Sequence, residues 1–376
     1  MADEPRPRHD YDVLVIGGGP AGLAAAIDLR TSTALDVLVA EARGAPSERF
    51  GETLPPGTLA ALDRLGVSGA FHADRHIPCP GGVSLWGRDR PGHNDFILDP
   101  LGPAWHIDRS LFETMLRARA ARAGATIRTQ TRAIAVTRDG DRFAVMLRNV
   151  SGGLSRVRAA WVIDATGGSA WFARRQGARR QRRDRMVALV RFADIADGTF
   201  TARSILESAP AGWWYGARLP GARLVTVLVA QPEAIASLSR DEYAWWHREL
   251  AATQLLAPHL AGCSLHHERF LTRSVPVSML DEVEGDRWLA IGDAACERDP
   301  IAGRGIHDAL TDAADASWTI AAAAGMREPP SWRYADRLRA RFADHLATRT
   351  ALYAAEERWS TAPFWRRRAA AAGVRG

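Results

Sequence analysis

The chain has 376 residues, 47% of them hydrophobic and 24% charged, with a formal net charge of +6. That composition excludes a disordered chain, and no apolar stretch reaches the roughly 18 residues that a membrane helix needs. The sequence contains no lysine, so the 49 basic positions counted as Lys plus Arg are all arginine. The N-terminal run MADEPRPRHD is polar, with no hydrophobic segment before the first strand, and does not read as a secretory signal. Three scattered cysteines, Cys79, Cys263 and Cys296, suggest neither a disulfide framework nor a metal knuckle. The expectation is a reduced, cytoplasmic protein with no metal site and no membrane span.

In chain order, Val13–Ile16 reads as a buried strand, followed by a glycine turn and a helix from about Ala21 to Leu29. A second buried strand over DVLVAEA ends at Glu41, making a βαβ-like start. The stretch RSLFETMLRARAARAGATIR has Leu111, Phe112, Met115 and Leu116 at helical spacing, which predicts a core-facing helix leading into a strand. Next, TRAIAVTRDGDRFAVMLRN reads as a hairpin turning at Asp139-Gly140. AAWVIDATGG is another buried strand ending in a glycine turn. The densest basic run, Arg174 to Arg185, reads as a solvated arginine-rich loop or helix, with an acidic partner or a dinucleotide phosphate as the alternative.

From about Val187 to Arg273 the pattern becomes antiparallel strands, with Pro220-Gly221 at a turn and tryptophan concentrated at Trp213, Trp214, Trp245 and Trp246. DRWLAIGDAA returns to a buried strand, and a glycine loop then opens an alanine-rich helix. The tail from WRYADRL onward is helical and ends at PFWRRR. His266 and His267 have no third ligand at metal spacing and read as structural or solvent-facing. No nucleic-acid module is present.

Gly17, Gly19 and Gly22 form G-x-G-x-x-G between a strand and a helix. The first glycine permits the tight turn, the second lets backbone approach a pyrophosphate, and the third brings helix against strand. A diphosphate would sit at the helix N-terminus beside Ala21. Glu41, about twenty residues on, suits a ribose diol carrying no 2′-phosphate, as in FAD or NAD.

A second loop favours flavin. WLAIGDAACERDPIAGRGIHDAL resembles the GD motif of flavoprotein hydroxylases, VIDATGG their ATG stretch, and HIDRSLFETML the segment whose arginine, here Arg109, contacts FAD. With the glycine fingerprint, these four motifs occur in the order of the p-hydroxybenzoate hydroxylase-like superfamily. The resemblance implies an α/β fold: a Rossmann-like FAD-binding domain of the GR2 type, an inserted antiparallel-sheet substrate domain and a helical C-terminal tail. The corresponding ranges are 9–75, 105–180 and 278–325 for FAD binding, 76–104 and 181–277 for substrate, and 326–376 for the tail. It implies that Asp293, with Gly292, binds the ribityl chain. Pro300, Gly303, Gly305 and Ile306 would shape the flavin face, where a helix N-terminus stabilises negative charge on reduced flavin.

RFGETLPPGTLAALDRLGV, from Arg49 to Val67, resembles the G-E-S/T-x-x-P segment of flavin-dependent halogenases through Glu52, Thr53 and Pro55. GWWYGARLP matches the halogenase W-x-W-x-I-P motif only in part, through Trp213, Tyr215 and Leu219-Pro220. Those halogenases use a lysine that this chain cannot supply; the region where it is expected reads roughly GGVSLWGRD, and a guanidinium is a poor nucleophile. Across nearly the whole chain, FGETLPP, SLWG, GWWYGARLP, GDAACERDPIAGRGI and ALYAAEERWSTAPFWRRR together resemble the flavoprotein maturases of tryptophylquinone enzymes.

That resemblance implies an FAD-dependent monooxygenase. It would hydroxylate an electron-rich aromatic group, an indole or tryptophan, through a flavin C4a-hydroperoxide, with O2 as cosubstrate and NAD(P)H or a separate flavin reductase as electron source. The substrate would be an aromatic small molecule or a tryptophan-containing peptide or protein, with no nucleic-acid partner. Glu52 is the candidate acid–base group, the alternative being an ordinary helix-entry or ion-pair glutamate. His307 is a candidate for the flavin's pyrimidine edge, against a capping or packing role. Trp86, Trp213 and Tyr215 are expected in the substrate pocket, strand packing being compatible with it. A halogenase, a geranylgeranyl reductase-like oxidoreductase and a non-catalytic FAD-stabilised chaperone are the competing readings.

Overall fold

The strand Asp10–Ile16 is buried on both faces from Val13 to Ile16, as its aliphatic run requires in the middle of a parallel sheet. It pairs in parallel with Val37–Ala40 on one side and Leu154–Asp164 on the other. Thr126–Arg128 extends the sheet beyond Val37–Ala40, and Trp288–Ala290 beyond Leu154–Asp164, both in parallel. The expected hairpin, Thr131–Asp139 with Arg142–Asn149, turns at Gly140 (φ +62°) and joins the same sheet antiparallel through Leu154–Asp164. The computed structural model describes residues 10–44, 51–195, 200–236, 242–260, 264–265 and 270–373.

The helix Pro20–Ser32 packs on this sheet and against the Gly305–Ala323 helix. Ala24, Ala25 and Ala26 are fully buried, and Ser317 Oγ donates to the Ala25 carbonyl at 3.3 Å. Small side chains let the two helices approach closely. The Arg109–Arg122 helix is N-capped by the Asp108 carboxylate, which accepts from the Ser110 and Leu111 amides. Phe112, Met115 and Leu116 are buried as expected, but Leu111 is 43% exposed. It sits in the first turn, on the side facing away from the sheet.

The second large sheet runs in the order Ser264–Leu265, Val187–Asp194, Arg223–Ala230, Gly212–Leu219, Ser204–Ala209, Gly81–Leu85, Gly92–Asp95. It is antiparallel except where Gly81–Leu85 and Ser204–Ala209 run parallel. Pro220 to Ala222 make the expected turn, with Gly221 at φ +78° and Ala222 at +55°. The Ser204–Ala209 strand escapes a hydrophobicity reading because Glu207 lies within it. Glu207 is 3% exposed and accepts from the Gln254, Leu255 and Leu256 amides, capping the Leu256–Leu260 helix. Trp246 belongs to another helix, Glu242–Ala251, and packs on Trp214 across that side of the sheet.

The arginine run is neither loop nor helix throughout: Arg180–Asp184 is a strand, paired antiparallel with Val277–Leu280. That strand also pairs with Cys296–Glu297, making a small three-stranded sheet. A second small sheet joins Thr53–Leu54, Ala104–His106 and Ile77–Cys79. The tail forms the helices Tyr334–Ala354 and Pro363–Gly373. The fold is thus α/β: a Rossmann-like domain, an inserted mainly antiparallel sheet and a helical tail. Among the described residues no helix is long and apolar enough to cross a membrane.

Candidate functional site

Three glycines after the first strand divide their work. Gly17 holds φ +112°, and a Cβ there would lie 2.2 Å from the Ala165 carbonyl oxygen. A Cβ on Gly22 would lie 2.0 Å from the Gly17 carbonyl oxygen. These two serve close chain packing. A Cβ on Gly19 meets nothing within 4 Å, so this side of the turn opens onto space. Gly19 is the N-cap of the Pro20–Ser32 helix and no side chain caps it, leaving first-turn amides for an anion. Glu41 closes the turn: its Oε2 accepts from the Gly18 amide at 2.6 Å and its Oε1 from the Arg43 amide at 2.8 Å.

The distant GD loop folds back onto this turn. Gly292, at φ +58°, is so close to Ala21 that a Cβ would lie 3.1 Å from the alanine methyl. Asp293 beside it is exposed. Gly303 follows the Pro300–Ala302 turn at φ +59°, and Gly305 opens the Gly305–Ala323 helix, again with no side-chain cap. A Cβ on Gly305 would meet nothing, and one on Gly303 only the Thr53 methyl, at 3.9 Å. Ile306 is buried behind them. Open glycine surfaces at two uncapped helix N-termini, joined through Ala21 and Gly292, fit a flavin dinucleotide: diphosphate at the first, flavin ring edge at the second.

Sequence reasoning missed the residue that ties these loops together. Arg180 donates through Nη2 to the carbonyls of Gly168 (3.3 Å), Asp293 (3.1 Å) and Ala294 (3.0 Å), and its Nη1 lies 3.4 Å from Glu297. It was hidden within the basic run, where nothing local separates it from its solvated neighbours. Arg109 donates to the Gly51 carbonyl at 3.0 Å and pairs with Glu113 at 2.7 Å, which places it beside Glu52.

Glu52 is 3% exposed. Its Oε2 accepts from the Gly51 amide at 2.9 Å, while Oε1 is buried with no partner. Burial pushes its pKa up to about 7 against the opposing Gly51 amide and the Arg109 charge. Glu52 borders a cavity of about 170 Å³ whose other walls include Ile107, Arg109, Phe192, Leu219 and Arg223. A larger hollow, of about 450 Å³, lies on the Thr131–Asp139 hairpin and Arg175, on the outside of the nucleotide domain. It shares no residue with the Glu52 cavity.

Next to Glu52, Thr53 Oγ1 lies 2.5 Å from the Tyr215 hydroxyl. Burial raises the Tyr215 pKa, so the phenol stays protonated. Behind it, His106 Nε2 is 3.0 Å from Ser204 Oγ, and Cys79 Sγ is 3.6 Å from the same hydroxyl. His106 is fully buried, which pushes its pKa down to about 4 and keeps the ring neutral. The His106–Ser204–Cys79 cluster was not legible in the sequence, because each residue reads locally as ordinary strand.

Of the other candidates, Pro300 begins the turn capped by Asp299, whose carboxylate accepts from the Ile301 amide at 3.1 Å. His307 Nδ1 lies 3.2 Å from Thr58 Oγ1, whose own hydrogen goes to the Pro55 carbonyl at 2.7 Å. His307 therefore donates from Nδ1 and fastens its helix to the Pro55–Thr58 turn. Trp213 and Trp86 face the tail instead of the Glu52 cavity. Trp213 Nε1 donates to the Tyr353 hydroxyl at 2.9 Å, and Trp86 Nε1 to the Leu352 carbonyl at 2.7 Å. Of the three, Tyr215 is the one hydrogen-bonded to the residue that follows Glu52, through Thr53. Arg49, Cys263, His266 and His267 lie outside the described residues.

Residues 10–350 match the model of a family described as the FAD binding domain. LodB of Marinomonas mediterranea, named as a FAD-dependent oxidoreductase, is 26% identical over 363 residues, 96% of this chain and 97% of LodB. Among solved structures, CmlS, a flavin-dependent halogenase, superposes with a TM-score of 0.84 at 25% identity, covering 96% of this chain and 67% of that one. QhpG, a peptidyl tryptophan dihydroxylase essential for tryptophylquinone cofactor biogenesis, gives 0.73 at 25% identity, covering 96% of this chain and 78% of that one. The chain belongs to the FAD binding domain family, within the p-hydroxybenzoate hydroxylase-like superfamily, and is an FAD-dependent oxidoreductase.

Proposed function

We propose that this enzyme is a monooxygenase that hydroxylates an electron-rich ring, an indole or tryptophan group, free or within a partner polypeptide. NAD(P)H or a separate flavin reductase would supply electrons and O2 the oxygen. The observation that carries the reading is the buried, half-unpaired carboxyl of Glu52 on the wall of a largely apolar cavity, one residue before the Thr53–Tyr215 hydrogen bond. With a pKa near 7, Glu52 can hold or release a proton at Oε1 at neutral pH.

The glycine turn, Glu41, Arg109, Asp293 and the Pro300–Ile306 loop would hold FAD, which supplies oxygen activation when bound and reduced. Ile107, Phe192 and Leu219 provide apolar wall for a flat ring and exclude water. The protonated Tyr215 hydroxyl and Thr53 hold the strand that follows Glu52 against the second sheet. The similarity to QhpG, a peptidyl tryptophan dihydroxylase, supports a ring presented by a polypeptide.

The halogenase reading is favoured by the close superposition on CmlS. Against it stands the absence of lysine throughout the chain: no neutral amine can form here, and guanidinium remains protonated. One experiment separates the two. The FAD-loaded enzyme, a flavin reductase and NADH are mixed under 18O2 with indole and tryptophan-containing peptides, with and without chloride and bromide, and products are read by mass spectrometry. Incorporation of labelled oxygen independent of halide supports hydroxylation. Replacement of a ring hydrogen by halogen overturns it.

A further inference from the structure

Three side chains of the Tyr334–Ala354 helix, His345, Arg349 and Tyr353, recur every four residues and so share one face. All three converge on Asp299. The Asp299 amide donates to His345 Nε2 at 3.0 Å, Arg349 Nε donates to Asp299 Oδ2 at 2.7 Å, and the Tyr353 hydroxyl donates to the same oxygen at 3.0 Å. Asp299 has no side-chain exposure, and its other oxygen, Oδ1, caps the Pro300–Ala302 turn. One carboxylate therefore joins the C-terminal helix to the loop running from Pro300 through Gly303 to Gly305. Trp213 reinforces the joint by donating to the Tyr353 oxygen. Arg349 also pairs with Asp184, and Arg368 of the last helix holds the same Oδ2 oxygen at 2.9 Å.

We propose that the His345–Arg349–Tyr353 stripe is a strut which, through Asp299, positions the Pro300–Gly305 loop and thereby sets how strongly the protein prefers reduced over oxidised FAD. The loop ends at an uncapped helix N-terminus, and a dipole at that point stabilises negative charge only while it is held in place. A buried carboxylate with two donors on one oxygen is directional, so losing either donor lets the loop shift. The three are positioning residues: none lines the Glu52 cavity.

The test uses FAD-loaded full-length protein and no substrate, so its result is independent of the hydroxylation reading. Midpoint potential is measured by equilibrium photoreduction against reference dyes, FAD affinity by flavin fluorescence, and stability by apoprotein melting. The variants are Tyr353→Phe, Asp299→Asn and, as control, Glu356→Gln. Glu356 ties the tail elsewhere, to the Gly87 amide, Ser208 and Arg358. Expected is about a tenfold loss of preference for reduced flavin in Tyr353→Phe and Asp299→Asn, a fall of about 30 mV for a two-electron couple. Glu356→Gln should melt earlier with its potential unchanged. Wild-type potentials and FAD affinities in Tyr353→Phe and Asp299→Asn, or an equal shift in Glu356→Gln, would overturn the strut. Should Asp299→Asn fail to fold, Tyr353→Phe decides alone, since it removes a single hydroxyl.

Discussion

Thr53 Oγ1 and the Tyr215 hydroxyl, 162 residues apart, lie 2.5 Å from each other. The first belongs to a two-residue strand following the buried Glu52, the second to the central hairpin of the inserted sheet. This hydrogen bond joins the short strand after the proposed acid–base group to the inserted sheet. Tyr215→Phe removes it while keeping the ring. The expected result is retained FAD, a stability loss of about 1 kcal/mol, and a roughly tenfold to hundredfold fall in kcat. Product formation compared with hydrogen peroxide release checks this, since a loosened site should leak peroxide.

Glu52→Gln should keep FAD and lose product at every pH. Its stability carries a definite sign. The wild-type carboxyl has a pKa of about 7 in the fold against 4.5 for the free group, because burial penalises its charge. A raised carboxyl pKa means stability that is fully present below about pH 4.5 and lost as pH rises through 7. Relative to wild type, the Gln variant should therefore gain up to about 3 kcal/mol above pH 7 and nothing below pH 4.5. Denaturant melts of both apoproteins at pH 4.5, 6 and 8 check it; parallel curves at all three would remove the buried carboxyl from the account.

The two glycines at the first turn make contrasting predictions. Gly19→Val places its side chain in open space, so the fold should melt within about 1 kcal/mol of wild type while purified protein carries no flavin. In Gly22→Ala the new methyl meets the Gly17 carbonyl at 2.0 Å, and backbone must move. That variant should lose roughly 1–3 kcal/mol of stability. The flavin-to-protein absorbance ratio and the melting curve distinguish a ligand position from a packing position.

Arg180→Gln tests the clamp over the GD and ATG loops. It removes donors from three backbone carbonyls and leaves Glu297 without its cation. FAD affinity should fall about tenfold, equivalent to about 1.4 kcal/mol. Substituting the exposed neighbour Arg183 should leave the dissociation constant unchanged. Titration of apoprotein with FAD, followed by fluorescence quenching, gives both numbers, and equal effects at the two positions would deny Arg180 its special place.

The sequence by itself determined the features that short-range chemistry controls. A strand must end where glycine permits φ +112°, and a helix must begin where Pro20 follows, so the first βα turn and its anion site are local. The Gly292-Asp293 loop, the hairpin at Gly140 and the Asp108 cap are local in the same sense, and the order of the motifs yielded the family. Only the tertiary structure decided which distant groups meet. Strand alternation puts Trp213 and Tyr215 on one face, but not which layer covers them; packing gave Trp213 to the tail and Tyr215 to Thr53. Arg180 differs from Arg183 only in what folds across it. The raised pKa of Glu52 follows from desolvation by segments distant in the chain, and no pattern of neighbouring residues encodes how much water they exclude.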